Sequence, residues 1–208
     1  MRTEPDRVTR LGGWLFRHRT SLPLPVAAAI LTLRVGQAPP SGALVAAGVA
    51  VTALGETLRL WGVHHIGAIS RTRSDRLGPL VASGPFARLR NPLYVGNIAV
   101  WVGFALTARL VWLAPAIALL LGLEYHAIVR WEERLLEMRM GEAYRQYAAR
   151  VPRWIPRRNP GERRENNHSA RSAIPSGSFS WRETLFSERG TLLAIAAGYL
   201  VLLLKAHV

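Results

Sequence analysis

The stretch Gly84-Pro85-Phe86-Ala87-Arg88-Leu89-Arg90-Asn91-Pro92-Leu93-Tyr94-Val95-Gly96-Asn97 opens as a basic Gly/Pro turn. It runs directly into an uncharged apolar segment that continues to Ala108. Pro92 biases Asn91 away from helical backbone and is itself well placed in a first helical turn. A helix therefore begins near Pro92, with two arginines just ahead of it. Free backbone N–H groups and the helix dipole at that end favour a carboxylate. The same residues also describe an ordinary basic, proline-started membrane helix.

Outward from this stretch, charge-poor apolar runs recur. They occupy residues 21–33, 43–55 (continuing through Glu56 and Arg59 to about 66), 91–108, 110–123 (continuing to about 129) and 190–204. A spanning helix needs roughly 20 residues, within a range of about 17–25. Gln37-Ala38-Pro39-Pro40-Ser41-Gly42 reads as a turn. Thr107-Ala108-Arg109 is so short a connection that the runs on either side form an antiparallel hairpin. Half of the 208 residues are hydrophobic, yet the mean hydropathy is only +0.12, so the apolar residues stand in blocks between strongly polar stretches. The expected fold is an all-α integral membrane bundle of about five membrane segments with a short cytoplasmic amphipathic helix. Its expected divisions are a basic segment and first membrane helix (1–42), a core (43–156), a polar linker (157–183) and a C-terminal apolar helix (184–208).

The formal net charge is +14, and 26 of the 27 basic residues are arginine. Residues 1–20 hold five of them, residues 71–90 five and residues 130–189 thirteen. Five crossings from a cytoplasmic N-terminus put all three stretches on one side and leave Arg34, Arg109 and Lys205 on the other. That is the positive-inside pattern, although long loops count for less in it. A soluble nucleic-acid binder has no reason to sort arginine this way; the anionic lipid surface of the inner, cytoplasmic membrane is the expected partner. The basic start followed by an apolar run also resembles a signal peptide, but no small-residue cleavage site closes it, so it reads as a retained first membrane helix. The chain has no cysteine, which excludes disulfides, thiol catalysis and cysteine metal sites.

Several ionisable groups lie in or beside the apolar runs. Glu132 and Glu133 can bind an ammonium or hydroxyls by charge-assisted hydrogen bonds, or pair with Arg130 and Arg134 on a solvated face. Glu56 and Arg59 lie three apart on one helical face; Glu124 and His126 have a similar setting. Ionisable groups at membrane depth face a bundle interior or a cavity and mark function by default, while arginine can also snorkel. Arg59 and Glu124 are therefore the catalytic candidates. His64 and His65 are candidate bases or interfacial structural residues. Tyr144 and Tyr147 follow Gly141 on an amphipathic stretch, 142–150, which reads as an interfacial helix or a lid. No metal-ligand spacing such as His-Glu-x-x-His occurs, and no metal is expected.

Three segments in order carry a resemblance. Gly55-Glu56-Thr57-Leu58-Arg59-Leu60-Trp61 looks like a Gly-x-x-x-Arg-x-Trp helix. Gly84 to Gly96 looks like a Gly-Pro-aromatic…Arg-His-Pro-x-Tyr-x-Gly motif. Glu132-Glu133, then Gly141-Glu142-Ala143-Tyr144-Arg145-Gln146-Tyr147 and Val151-Pro152-Arg153-Trp154-Ile155-Pro156, look like a closing Glu-Glu…Gly-x-x-Tyr-x-x-Tyr…Pro segment. Together they resemble the integral-membrane methyltransferases that include isoprenylcysteine carboxyl methyltransferase and phosphatidylethanolamine N-methyltransferase. The resemblance implies a membrane enzyme that uses S-adenosylmethionine to methylate a lipid-like acceptor. It implies a cytoplasmic cofactor pocket formed by Arg90, Asn91, Pro92, Tyr94, Glu132, Glu133 and Tyr147. Asn91 stands where isoprenylcysteine-type members have His, so any acid or base role of that position is missing. Oxygen, nitrogen and sulfur acceptors all stay open. So do a thiol or small-molecule methyltransferase of the same fold and a non-catalytic protein that retained it.

Overall fold

A computed structural model describes residues 6–67, 80–156 and 180–207. Among these there are seven α-helices and no strand: α1 (Arg7–His18), α2 (Leu24–Thr32), α3 (Gly42–Ile66), α4 (Pro92–Thr107), α5 (Leu113–Met140), α6 (Glu142–Arg150) and α7 (Trp181–His207). A 3-10 turn, Gly84–Ala87, precedes α4. The local signals are conventional. The Asp6 carboxylate caps α1 by accepting from the Thr9 N–H at 2.7 Å, and the Ser41 hydroxyl caps α3 at Leu44. Pro92 occupies the first turn of α4. Gly141, at φ 53°, reverses the chain between α5 and α6 in a backbone conformation that side chains resist.

Three helices are long and apolar enough to cross a membrane: α3, α5 and Trp181–Ala206 of α7. Large apolar side chains such as Leu54, Leu119, Leu123, Leu193 and Leu200 stand exposed on their outer faces, as lipid contact requires. α4 is shorter, at 16 residues. The most extensive helix contact joins α3 and α4 as an antiparallel pair. Gly48 and Gly55 on α3 face Gly103 and Gly96 on α4, each pair repeating at a seven-residue interval. A Cβ on Gly55 would lie 2.7 Å from the Gly96 carbonyl oxygen, and one on Gly96 would lie 2.6 Å from that of Gly55. Backbone meets backbone along this line, the association mode that lipid-embedded helices favour.

α5 returns antiparallel to α4 after the turn at Ala108 and Arg109. The turn is tied to the segment before α3: the Ala38 N–H donates to the Arg109 carbonyl at 2.8 Å, and the Gln37 amide to the Ala108 carbonyl at 3.0 Å. α1 lies along α5, with Gly12 against Ala127 and Phe16 against Trp131, ring centroids 4.7 Å apart. α7 runs antiparallel to α3, held by Tyr199 to Thr52 at 2.7 Å. At its far end, Lys205 donates to the Ile30 and Leu33 carbonyls at the end of α2. The buried core includes Ile30, Ala105, Leu110, Leu121 and Ile128.

Two expectations change. The first apolar run, 21–33, forms one helix that is too short to span a membrane. The chain turns after His18, Pro23 and Pro25 sit at the start of the next helix, and α2 holds only nine residues. Such a helix rises about 13 Å, against about 30 Å of hydrocarbon core. The last helix begins at Trp181 rather than at 184, because Ser180 and Glu183 cap one another: the Ser180 N–H donates to the Glu183 carboxylate at 2.8 Å, and the Glu183 N–H to the Ser180 hydroxyl. Most of the expected polar linker, and the arginines at 71, 73 and 76, lie outside the described residues.

The glycine line gives a direct test. Gly55→Val should lower stability by about 1–3 kcal/mol through overpacking against α4. Gly122→Ala, with nothing within 4 Å of its added Cβ, should be neutral or slightly stabilising. Thermal unfolding of the two variants in detergent separates these outcomes.

Candidate functional site

A cavity of about 710 Å³ lies among α1, α3, α4, α5, α6 and α7. Its polar end is built first by main chain. The Arg90 N–H donates to the Pro152 carbonyl at 2.9 Å, and the Asn91 side-chain amide to the Arg153 carbonyl at 3.1 Å. The segment after α6 is thereby laid beside the turn before α4. The Tyr147 hydroxyl, buried, donates to the Phe86 carbonyl at 2.8 Å and fixes α6 to the same turn.

These ties aim two arginines at one carboxylate of α5. Arg153 forks onto Glu133, with Nε 2.9 Å from Oε1 and Nη2 2.5 Å from Oε2. Arg90 Nη1 lies 2.9 Å from Glu133 Oε1. Arg90 Nε is buried and has no hydrogen-bond partner among the described residues. One helical residue away, Glu132 Oε1 accepts from the Tyr94 hydroxyl at 3.0 Å, and the Tyr94 ring stacks on Tyr125 at 4.7 Å. Burial pushes the Tyr144 hydroxyl up to about 12 and the Tyr147 hydroxyl higher still, so both phenols remain neutral donors near pH 7. A second, polar cavity of about 620 Å³ shares Arg90, Glu133 and Tyr144 with the first and is otherwise lined by residues such as Arg130, Arg134 and Glu137. The Glu133 ion pairs thus stand where the two cavities adjoin.

A different polar group lines the cavity at the depth of α3 and α7. Arg59 donates from Nε to Glu56 Oε2 at 3.1 Å and from Nη2 to Glu188 Oε2 at 2.6 Å. Nη1 donates to the Asn97 side-chain carbonyl, and Nη2 reaches the Thr191 hydroxyl at 3.4 Å. Apolar side chains including Val100, Trp101, Phe104 and Ile195 line the cavity beside these groups.

All seven residues expected at a cofactor pocket (Arg90, Asn91, Pro92, Tyr94, Glu132, Glu133 and Tyr147) line this cavity, and so does Arg59. Glu124 does not. Tyr125, Glu132, Glu133 and Leu136 of α5 face the cavity, and Glu124 is rotated about 100° from Tyr125 on the helix. Its Oε1 is buried and unpartnered away from this cavity. His64 and His65 are outside it as well: His64 stacks on Trp181 at 4.2 Å, and His65 Nδ1 lies 2.9 Å from the Trp61 carbonyl. Asn97, Arg153, Glu188 and Thr191 belong to the polar groups without having been singled out in the sequence. Arg153 sits inside the Val-Pro-Arg-Trp motif. Glu188 is a lone carboxylate just ahead of the last apolar run, and nothing local marks it.

Known proteins bear on this arrangement. The family model described as Phospholipid methyltransferase matches residues 43–143. The chain is 31% identical over 153 residues to the nickel-cobalt-cadmium resistance protein NccN of Alcaligenes xylosoxydans xylosoxydans, a match covering 71% of this chain and 68% of that protein. It is 36% identical over 78 residues to the cobalt-zinc-cadmium resistance protein CzcN of Cupriavidus metallidurans, covering 38% of this chain and 36% of that protein. No solved structure matches. The matched span runs from α3 through the Gly141 turn and carries the Gly/Pro turn, Arg59, Arg90 and the Glu132-Glu133 pair; this chain belongs to the phospholipid methyltransferase family.

Proposed function

We propose that this protein is an S-adenosylmethionine-dependent methyltransferase that acts on a lipid-like acceptor within the membrane. One observation carries the reading: Arg90, Arg153, Glu133, Glu132 and Tyr94 converge at one end of a 710 Å³ cavity that also has an apolar wall. The volume falls within the roughly 300–1,000 Å³ of small-molecule sites.

The residues fit the cofactor. Its carboxylate suits the buried, unpartnered N–H of Arg90. Its ammonium suits Glu132, and its ribose hydroxyls suit Glu132 and the arginine-held Glu133. The stacked Tyr94 and Tyr125 rings offer π faces to a sulfonium. When bound, the cofactor supplies a methyl group already activated on sulfur, for in-line displacement by the acceptor. The protein's work is then to align, to exclude water and to hold charge. Glu133 keeps Arg90 and Arg153 in place; Tyr144 and Tyr147 stay protonated and cover the polar end; the apolar wall admits an alkyl chain. The adjoining polar cavity offers a route from water.

The arginine-rich end, where α6 lies, is the cytoplasmic one in this proposal. α3, α4, α5 and α7 cross the bilayer, and α1 with α2 forms a further, partial segment at the N-terminus. The relatives' names attach them to nickel, cobalt, zinc and cadmium resistance; a metal-stressed cell is accordingly the setting in which to seek the acceptor.

Calorimetry on detergent-purified protein should detect S-adenosylmethionine binding. Arg90→Ala and Glu133→Ala should each weaken it at least tenfold, since a hydrogen bond to a charged group contributes about 1.5–3 kcal/mol. Absence of binding to a folded wild type across several detergents sinks the proposal. Asn91 lines the cavity and its amide ties the turn to the Arg153 carbonyl by one hydrogen bond, so Asn91→Ala should cost about 1 kcal/mol, a fivefold rise in Kd without loss of binding. Abolished binding in that variant would mean that Asn91 contacts the cofactor itself.

A further inference from the structure

The end of the bundle opposite α6 gathers three cations from distant parts of the chain. Lys205, near the end of α7, donates to the Ile30 carbonyl at 2.9 Å and to the Leu33 carbonyl at 2.5 Å. Arg34 follows Leu33 directly. Arg109, in the α4–α5 turn, reaches the Gln37 side-chain carbonyl at 3.5 Å, and its own carbonyl accepts from the Ala38 N–H. Arg34 and Arg109 both stand near enough to repel the Lys205 ammonium.

No carboxylate answers them. The described segments that meet here, 33–41, 108–112 and 205–207, contain neither aspartate nor glutamate. The α2 carbonyls that Lys205 caps offset about half a charge, which leaves most of the positive charge uncompensated. Arg109 is also strained. At φ 63° it is the one non-glycine residue with positive φ among the described residues, in a region that glycine or asparagine enters more easily. Arginine is otherwise sorted away from this end of the bundle. Like charges gathered on a strained turn call for an anion from outside the chain.

The surroundings say which anion. Trp112 stands half exposed beside Gly36, and its indole N–H donates to the Val35 carbonyl at 3.3 Å. A tryptophan with one bonded edge and one open apolar face is suited to the boundary between membrane and water. Val111 beside it, and Leu203 and Leu204 on the last turns of α7, are exposed. A free ion would make no use of that apolar surface. A phospholipid would use both parts, its phosphate against the cations and its acyl chains against the leucines.

We propose that Arg34, Arg109 and Lys205 form a headgroup site for an anionic phospholipid, whose phosphate supplies the counter-charge that the chain lacks at this end. The site is separate from the cavity and rests on no reading of the chemistry there.

Photo-crosslinking tests it on the full-length protein in phosphatidylcholine nanodiscs. A minor fraction of the lipid is phosphatidylglycerol with a diazirine in one acyl chain; a parallel sample carries the same chain on phosphatidylcholine. Peptide mass spectrometry counts the cross-links on residues 108–112 and 200–206. Each cation at a membrane surface contributes about fivefold in affinity for anionic lipid, so phosphatidylglycerol should label this end of wild type about tenfold more than phosphatidylcholine. The Arg34→Gln, Arg109→Gly double variant should lose most of that preference. Because glycine relieves the positive φ, the variant should unfold no earlier than wild type in detergent; if it does not fold, Arg34→Gln alone carries the test. Cross-links at the α6 end should stay as they were. Equal labelling of wild type by the two lipids, a preference unchanged in the folded variant, or an equal fall at the α6 end would overturn the proposal. So would displacement of the label by inorganic phosphate at matched ionic strength, which would mark a site for the free ion.

Discussion

One carboxylate organises the polar end of this bundle. Glu133 on α5 accepts from Arg90, ahead of α4, and from Arg153, beyond α6, at 2.5–2.9 Å. Three stretches of chain that share no secondary structure are drawn to one point. Ion pairs as sheltered as these are poor guides to stability, because the desolvation cost offsets much of the attraction. Their effect here is positional. Were Glu133 absent, two guanidiniums would sit side by side with no counter-charge, and the segment after α6 would keep only its two backbone-directed hydrogen bonds to Arg90 and Asn91.

The depth of the cavity has another cause. Gly48, Gly55, Gly96 and Gly103 bring α3 and α4 together backbone to backbone. With the helices that close, Arg59 on α3 can reach Asn97, one residue beyond Gly96. The close approach therefore does more than pack: it sets the lateral position of the one arginine at membrane depth that lines the cavity. α7 then seals the remaining side, and its register with α3 decides which of its few polar groups meets that arginine.

How much of this could be read beforehand depends on whether the cause was local. Pro92 starts α4 where the chain stereochemistry of proline says it must, and the 142–150 helix has the bounds its amphipathic pattern and the flanking Gly141 and Pro152 require. That Arg90, Glu132 and Glu133 line one cavity is legible in the family order of their motifs. Glu124, a carboxylate inside an apolar run, is conspicuous whichever way it points, and helical phase turns it from this cavity. The shortness of α2 has its cause in the proline pair Pro23 and Pro25, which sets where the helix starts, and in the extended backbone at Leu33, which ends it. Asn97 and Glu188 had no signal at all: one is an uncharged amide within an apolar helix, the other a carboxylate 129 residues from its partner.

That last pair separates two kinds of signal. The polar end is encoded in short motifs, whereas the Arg59 cluster depends on packing between distant helices, whose register places Glu188 opposite Arg59. Here the family-matched span contributes Arg59 and Glu56, while α7 contributes Glu188. A change of helix α7 that removed Glu188, leaving every motif intact, would leave Arg59 held by Glu56, Asn97 and Thr191. The Glu133 cluster and the Arg59 cluster can therefore vary separately on this fold, because they are held by different interactions.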